Sequence, residues 1–322
     1  MAVLAKDFAA GADIGWVPAM EDSGFVFRDR EGNPRDIFEL LKNEYHINAI
    51  RLRIWVHPND DPHRGCCGRE DTLRMAQRAM AQGQDVMLNF HYSDSWADPN
   101  QQRKPKAWEG YTVPELTHAV YEYTRETLQF FKDQGFIPKW IQMGNETNNG
   151  MMWPEGHVYR FENLASFYKA SYKAIKEVCP ESIAMIHLAE GHIYPVLERY
   201  FDRCVELDCQ FDQIGLSYYP YWVHQEYDQN IDQLRNSITR LQERYGCPVN
   251  IVEVGDESQR PIRTKAMLRE VLEVCRETGA VGMFYWEPEG AYCFSKYALS
   301  AWQDDGRPGL GMDAYKEITF ES

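Results

Sequence analysis

Eight short runs rich in apolar and β-branched residues alternate with longer amphipathic runs along this 322-residue chain, and no other feature constrains the fold as strongly. The runs that read as strands are Asp13–Val17, Ala49–Trp55, Asp85–Tyr92, Lys139–Glu146, Ile183–Glu190, Phe211–Tyr219, Val249–Gly255 and Val281–Glu287. Between them apolar residues recur at helical spacing, as in Asp36–Tyr45, Asp71–Gln82, Pro114–Gln134, Asn163–Val178, Ile231–Tyr245 and Arg263–Thr278. Gly83, Gly135, Pro180, Gly246 and Gly279 stand just past the ends of such runs, where helices stop. Parallel strands need a crossover between neighbours, and the intervening helices supply it. Eight such units predict a single (β/α)8 (TIM) barrel domain spanning residues 1–322. A doubly wound open sheet is the competing arrangement. It lacks support, because Gly11-Ala12-Asp13-Ile14-Gly15 precedes or enters the first strand instead of forming a phosphate turn after it.

In such barrels the chemistry sits at the C-terminal ends of the strands, and here nearly every strand ends in polar or aromatic residues. The second carries Arg51, Arg53 and Trp55, spaced by two and so on one side of the strand. The third ends at His91-Tyr92 and runs on through Ser93-Asp94-Ser95-Trp96-Ala97-Asp98. Asn145-Glu146 follow the fourth, His187 lies on the fifth and Tyr218-Tyr219 on the sixth. Glu253 is on the seventh and Trp286 on the eighth. Two carboxylates at separate strand ends are what hydrolysis of a glycosidic bond needs: one protonated, to give the leaving oxygen its proton, and one ionised, to attack or stabilise the anomeric carbon. Asn145, beside Glu146, is placed to bond a sugar hydroxyl. Arg51 or Arg53 together with Tyr218 would hold Glu253 ionised, and Trp286 offers a flat face for a pyranose.

Composition narrows the ligand. A formal charge of −15 repels nucleic acid and anionic lipid but costs a neutral glycan nothing. No apolar stretch approaches the roughly 20 residues that cross a bilayer. Aromatic residues make up 13% of the chain, including nine Trp and 19 Tyr, which suits stacking on sugars. The eight cysteines show no zinc-finger spacing and no dense framework, so they read as free thiols. With Met1-Ala2-Val3-Leu4-Ala5-Lys6-Asp7-Phe8 lacking a basic leader pattern, a cytoplasmic enzyme is expected. A secreted enzyme whose leader has been removed is the alternative. Cys66-Cys67, in a Gly- and Pro-rich turn, carries no assigned role.

The strand-end residues are also where the chain resembles a known family, glycoside hydrolase family 53, the endo-β-1,4-galactanases of the retaining clan A. The resemblance runs from Gly11-Ala12-Asp13-Ile14 to Met312-Asp313. It rests on Ile50-Arg51-Leu52-Arg53-Ile54-Trp55-Val56 with Pro58, and on His91 through Pro99 with Gln102, Pro105 and Trp108. It also rests on Gln142 through Glu146 with Trp153-Pro154, Ile186-His187-Leu188, Gly215 through Pro220, Val252-Glu253, and Tyr285-Trp286-Glu287-Pro288. What it implies is double displacement on β-1,4-linked galactan or galacto-oligosaccharide, with Glu146 as acid/base and Glu253 as nucleophile. His91, Asn145, Tyr218 and Trp286 would line the cleavage subsite. Arg51, Arg53, Trp96, Asp98 and His187 complete the expected substrate-binding set, and no metal or cofactor is expected.

Two segments depart from the family pattern. After His187 the chain reads Ala189-Glu190-Gly191-His192-Ile193-Tyr194 in place of an acidic-Asn-Gly-Trp segment. After Glu253 it reads Val254-Gly255-Asp256-Glu257 in place of Thr-Asn-Trp-Pro, with a helix soon following. That leaves no room for the long calcium-binding loop of some members, and short oligosaccharides are the expected substrates. Three rival readings remain: the same chemistry on mannan or xylan, a sugar-binding barrel without turnover, and a metal-dependent enzyme using His91, Asp94, Asp98, His187 and the glutamates.

Overall fold

The computed structural model describes residues 3–58 and 67–321; Cys66 of the Cys66-Cys67 turn lies outside the described residues. Eight parallel strands close into a barrel in sequence order. They are β1 (Ala9–Asp13), β2 (Ala49–Ile54), β3 (Asp85–Phe90), β4 (Trp140–Met143), β5 (Ile183–Leu188), β6 (Gln213–Tyr218), β7 (Val249–Val254) and β8 (Gly282–Trp286). Seven helices cross between them on the outside: α1 (Ile37–Tyr45), α2 (Arg69–Ala81), α3 (Val113–Asp133), α4 (Phe161–Val178), α5 (Tyr194–Glu206), α6 (Ile231–Tyr245) and α7 (Pro261–Thr278). A two-residue parallel pair, Val3–Leu4 with Thr319–Phe320, ties the two ends of the chain together.

The helices begin and end for local reasons. The Asp36 carboxylate accepts the Phe38 and Glu39 amides and caps α1. Thr112 and Glu115 form a reciprocal capping box on α3. Gly246 and Gly279 end α6 and α7 in the left-handed conformation that costs glycine little. The first strand is the one element the sequence misplaces. It runs over Ala9–Asp13, not Asp13–Val17, because Val17-Pro18 opens a short helix over Val17–Asp22. Its small residues hide it from a search for bulky β-formers. Smallness is required here, since a Cβ on Gly11 would lie 2.1 Å from the Phe284 ring inside the barrel.

Strand periodicity builds the site. Ala9, Ala49, Met87, Trp140, Met185, Val252 and Phe284 form an apolar plug separate from the main core between barrel and helices. Two residues further along the same strands, and so on the same side, come Gly11, Arg51, Asn89, Gln142, His187 and Trp286. Asp13 and Arg53 follow after another two. The interior thus changes from a dry plug to a polar layer toward the C-terminal ends. β7 breaks the rule. Its register against β6 skips a residue, with Leu216 opposite Ile251 but Ser217 opposite Glu253. This irregularity lets Glu253 face the interior directly after Val252 has done so.

Candidate active site

The polar layer opens into a cavity of about 740 Å³ at the C-terminal mouth of the barrel, a volume typical of small-molecule clefts. Glu146, Glu253, His91, Trp96, Asp98, Asn145 and Trp286 all line it, as the sequence led us to expect. Backbone strain gathers at the same rim. Tyr92 after β3, Glu146 after β4, Glu190 after β5 and Glu287 after β8 all have positive φ, between 49° and 59° except for Glu146 at 45°. For residues with a Cβ such conformations cost on the order of 1 kcal/mol each, and they persist only where surrounding contacts over-determine them.

Arg51 organises the layer. Its guanidinium donates to Asp13 Oδ2 at 2.7 Å, Gln142 Oε1 at 2.5 Å and Asn145 Oδ1 at 2.9 Å, and pairs with Glu253 Oε1 at 2.9 Å. The fully buried cation is thereby matched on every side. Removing one partner of such a buried pair costs about 3–5 kcal/mol, so Arg51 holds the fold as well as the site. Glu253 also accepts a hydrogen bond from Tyr219 Oη at 3.1 Å. Among the described residues no cation pairs with Glu146; its Oε1 lies 2.6 Å from Ser217 Oγ. Burial and the neighbouring Glu253 charge push the Glu146 carboxyl up to about 8. Burial raises Glu253 too, but Arg51 and Tyr219 work against it. The two environments therefore separate the pair in the sense acid/base chemistry needs: Glu146 keeps its proton more readily, and Glu253 is the better placed to be ionised.

Four expected residues lie elsewhere than expected. Arg53 does not touch Glu253. It pairs with Glu287 and stacks 4.3 Å over Trp96, bracing an aromatic box in which Trp16 and Trp96 pack edge-on to Trp286. Arg51, Arg53 and His187 are buried and do not line the cavity. Tyr218 points outward, donating to Asn230 Oδ1 at 2.6 Å. Alternation explains the last correction: Ser217 faces the interior, so Tyr218 faces the helices and Tyr219 returns to the cavity. The residue holding Glu253 is accordingly Tyr219. Tyr219→Phe should lower kcat about tenfold, the loss expected for one hydrogen bond to a charged group, whereas Tyr218→Phe should leave kcat unchanged. Steady-state kinetics on the two variants checks the assignment, and equal effects would overturn it.

Sequence reasoning also missed Asp13, Asn89, Gln142, Ser217 and Glu287. For most of these the signal was available, since each stands two residues from an inward-facing neighbour on its strand. Glu287 was not readable this way. It turns back to accept the Gly15 and Trp16 amides at 3.1 and 3.2 Å, a contact spanning the whole chain. His91 is neutral and oriented: its Nδ1 accepts from Trp55 Nε1 and the Ala97 amide, both at 3.2 Å. Burial, followed by the Arg53 and Arg51 charges, holds its pKa well below the usual histidine range. The hydrogen therefore sits on Nε2.

Ligand atoms of Glu146, His187 and Glu253 lie within 4.8 Å of one another, a spacing that would also suit a metal. Both His187 nitrogens are engaged, however, Nδ1 with Asn145 Oδ1 at 3.1 Å and Nε2 with Ser217 Oγ at 2.8 Å. The arrangement is that of a hydrogen-bond network.

Comparison with known proteins adds the family. The model of glycosyl hydrolase family 53 matches residues 9–260. The chain belongs to glycosyl hydrolase family 53. It is a glycoside hydrolase, and family 53 relatives share nearly its whole length. It is 30% identical over 301 residues to arabinogalactan endo-beta-1,4-galactanase A of Emericella nidulans, covering 86% of this chain and 84% of that protein. An uncharacterized protein of Niallia circulans is 35% identical over 349 residues, covering 98% and 92%. The catalytic domain of a family 53 enzyme from Ignisphaera aggregans superposes with a TM-score of 0.88 at 29% identity, covering 99% of this chain and 98% of that one. Six residues, 255–260, separate β7 from α7. The segment after His187 brings Ala189, Glu190 and His192 to the cavity wall.

Proposed function

We propose that the chain, as one catalytic unit, hydrolyses β-1,4-galactosidic linkages of galactan or galacto-oligosaccharides with retention of configuration, using Glu253 as nucleophile and Glu146 as acid/base. The observation that carries this reading is the separation of the two carboxylates. An oxygen of each lies within 4.8 Å, in keeping with the roughly 5–5.5 Å between carboxyl groups of retaining enzymes and too close for the intervening water of inverting ones. Glu253 attacks the anomeric carbon while Glu146 gives its proton to the leaving oxygen; Glu146 then takes a proton from the water that releases the sugar. Asn145 gives one Nδ2 hydrogen to Ala97 O and keeps the other for a sugar hydroxyl. His91 Nε2–H is a second neutral donor, and Trp286 the stacking floor. The short β7–α7 loop supports a preference for short chains. The free thiols Cys67, Cys179, Cys204, Cys209, Cys247, Cys275 and Cys293 support a cytoplasmic site of action. Among the described residues no helix is long and apolar enough to cross a membrane.

The experiment is a panel of β-1,4-linked galactan, mannan and xylan with their oligosaccharides, with Glu253→Gln as the blank. New reducing ends are expected from galactan and its fragments, with galactotriose or galactotetraose cut at least as fast as long galactan. Release from mannan or xylan alone would transfer the reading to those glycans.

The pH dependence follows from the two carboxyls. Glu146 must be protonated, so kcat/KM falls as pH rises through about 8. Glu253 must be ionised, so kcat/KM also falls as pH drops through a value above the ordinary 4.5. A kcat/KM profile on a soluble oligosaccharide measures both limbs, and an alkaline limb below pH ~6 would exclude Glu146 as the acid.

A further inference from the structure

Ser217 neither lines the cavity nor belongs to the apolar core, yet its hydroxyl sits between two functional groups, 2.6 Å from Glu146 Oε1 and 2.8 Å from His187 Nε2. A hydroxyl has one hydrogen, so it donates to one of them and accepts from the other. The far end of the network decides which. Arg51 possesses only donors, and its Nη2 lies 2.9 Å from Asn145 Oδ1, while Asn145 Nδ2 donates to Ala97 O at 2.8 Å. The amide is thereby oriented, with Oδ1 an acceptor. His187 Nδ1 lies 3.1 Å from that same oxygen, which also accepts from Asn89 Nδ2 at 2.8 Å; two bare lone pairs do not face each other at such a distance, so Nδ1 carries the hydrogen. The Glu146 amide, 3.4 Å from Nδ1, is the weaker competitor for that nitrogen.

His187 is fully buried, and burial, reinforced by the Arg51 charge, keeps its ring neutral. Nε2 is therefore a bare lone pair that the Ser217 hydroxyl satisfies. What Ser217 has left for Glu146 is its own lone pair, so in the resting enzyme the hydrogen between them belongs to Glu146.

We propose that Ser217 is a positioning residue whose hydrogen bond reverses with each proton transfer, accepting from protonated Glu146 while donating to His187, and donating to Glu146 once its proton has gone to the leaving oxygen. The inference rests on Glu146 acting as acid/base. His187 Nε2 accepts the Ser217 hydrogen bond in the resting state, and the ring stays neutral throughout, its one hydrogen on Nδ1. The ionised Glu146 of the covalent intermediate gains a donor only when it needs one, and the proton is regained from the attacking water as Ser217 turns back.

Ser217→Ala and Ser217→Thr test this with a galacto-oligosaccharide substrate. Ser217→Ala should lose about 10- to 100-fold in kcat, the scale of one hydrogen bond to a charged group, with KM within about twofold. Ser217→Thr, which keeps the hydroxyl, should restore kcat to within about threefold of wild type. Wild-type kcat in Ser217→Ala, or no recovery in Ser217→Thr, overturns the proposal. A second measurement needs no substitution at Ser217. Proton–nitrogen correlation spectra of the histidine rings of the wild type, assigned against His187→Gln, should show the His187 hydrogen on Nδ1 at neutral pH, and a hydrogen on Nε2 would overturn it. Full activity in Glu146→Ala would instead sink the acid/base reading while leaving the tautomer result standing.

Discussion

Glu253→Ala should lower turnover by on the order of 10⁴-fold or more, the scale on which enzymes lose rate when their nucleophile is removed. The expected loss is chemical, because in the proposed mechanism Glu253 supplies the bond to the anomeric carbon, and among the described residues no other carboxylate lining the cavity shares its contacts with Arg51 and Tyr219. The truncated side chain leaves a small space beside the anomeric carbon. On an aryl galactoside with a good leaving group, added azide should enter that space and restore release of the aryl alcohol. Because azide would attack from the face Glu253 occupied, the expected product is the α-galactosyl azide, inverted relative to the substrate. Formation of the β-azide by this variant would exchange the roles of the two glutamates. Circular dichroism should show the variant folded, although Arg51 loses one of its anions; Asp13, 2.7 Å away, remains.

Glu146→Ala should lower kcat on galacto-oligosaccharides by roughly 10²–10⁴-fold, the range for loss of a general acid. With an activated aryl leaving group, which needs no proton, the first step should be nearly spared and the covalent intermediate should accumulate. Azide should then yield the β-galactosyl azide. The same carboxyl carries a stability signature. Its folded-state pKa, about 8, lies above the ordinary 4.5, so the folded protein binds the proton more tightly than the unfolded chain. The associated stability is complete below about pH 4.5 and is lost as pH rises through about 8. Glu146→Gln, neutral at every pH, should therefore melt a few degrees above wild type at pH 8 and level with it at pH ~4.5. Equal melting temperatures at both pH values would show that the buried carboxyl is not held protonated.

How much of this was legible in the sequence depended on the range over which each feature is decided. Glu146 and Glu253 were readable because each ends or lies in an apolar run, and an apolar strand carrying one carboxylate near its C-terminal end states its own orientation. Helices α1 to α4, α6 and α7 were readable because caps and glycine stops act within a few residues. The first strand was not, since Ala9–Asp13 is selected for smallness against the Phe284 ring across the barrel. Tyr218 was misassigned for want of counting in twos from Gly215, an error that periodicity alone would have corrected.

The sequence by itself determined the eightfold alternation, the clustering of polar residues at the strand ends and the two glutamates, because propensity and periodicity are local. Tertiary structure decided how those residues divide the work. The irregular register of β7 turns Glu253 inward, ring closure brings Arg51 between Asp13, Gln142, Asn145 and Glu253, and the return of Glu287 to Gly15 and Trp16 diverts Arg53 to the aromatic box. Which carboxylate gains a cation, and so which one keeps the proton, is a matter of distances of about 3 Å between residues far apart in the chain. Closure of the barrel sets those distances.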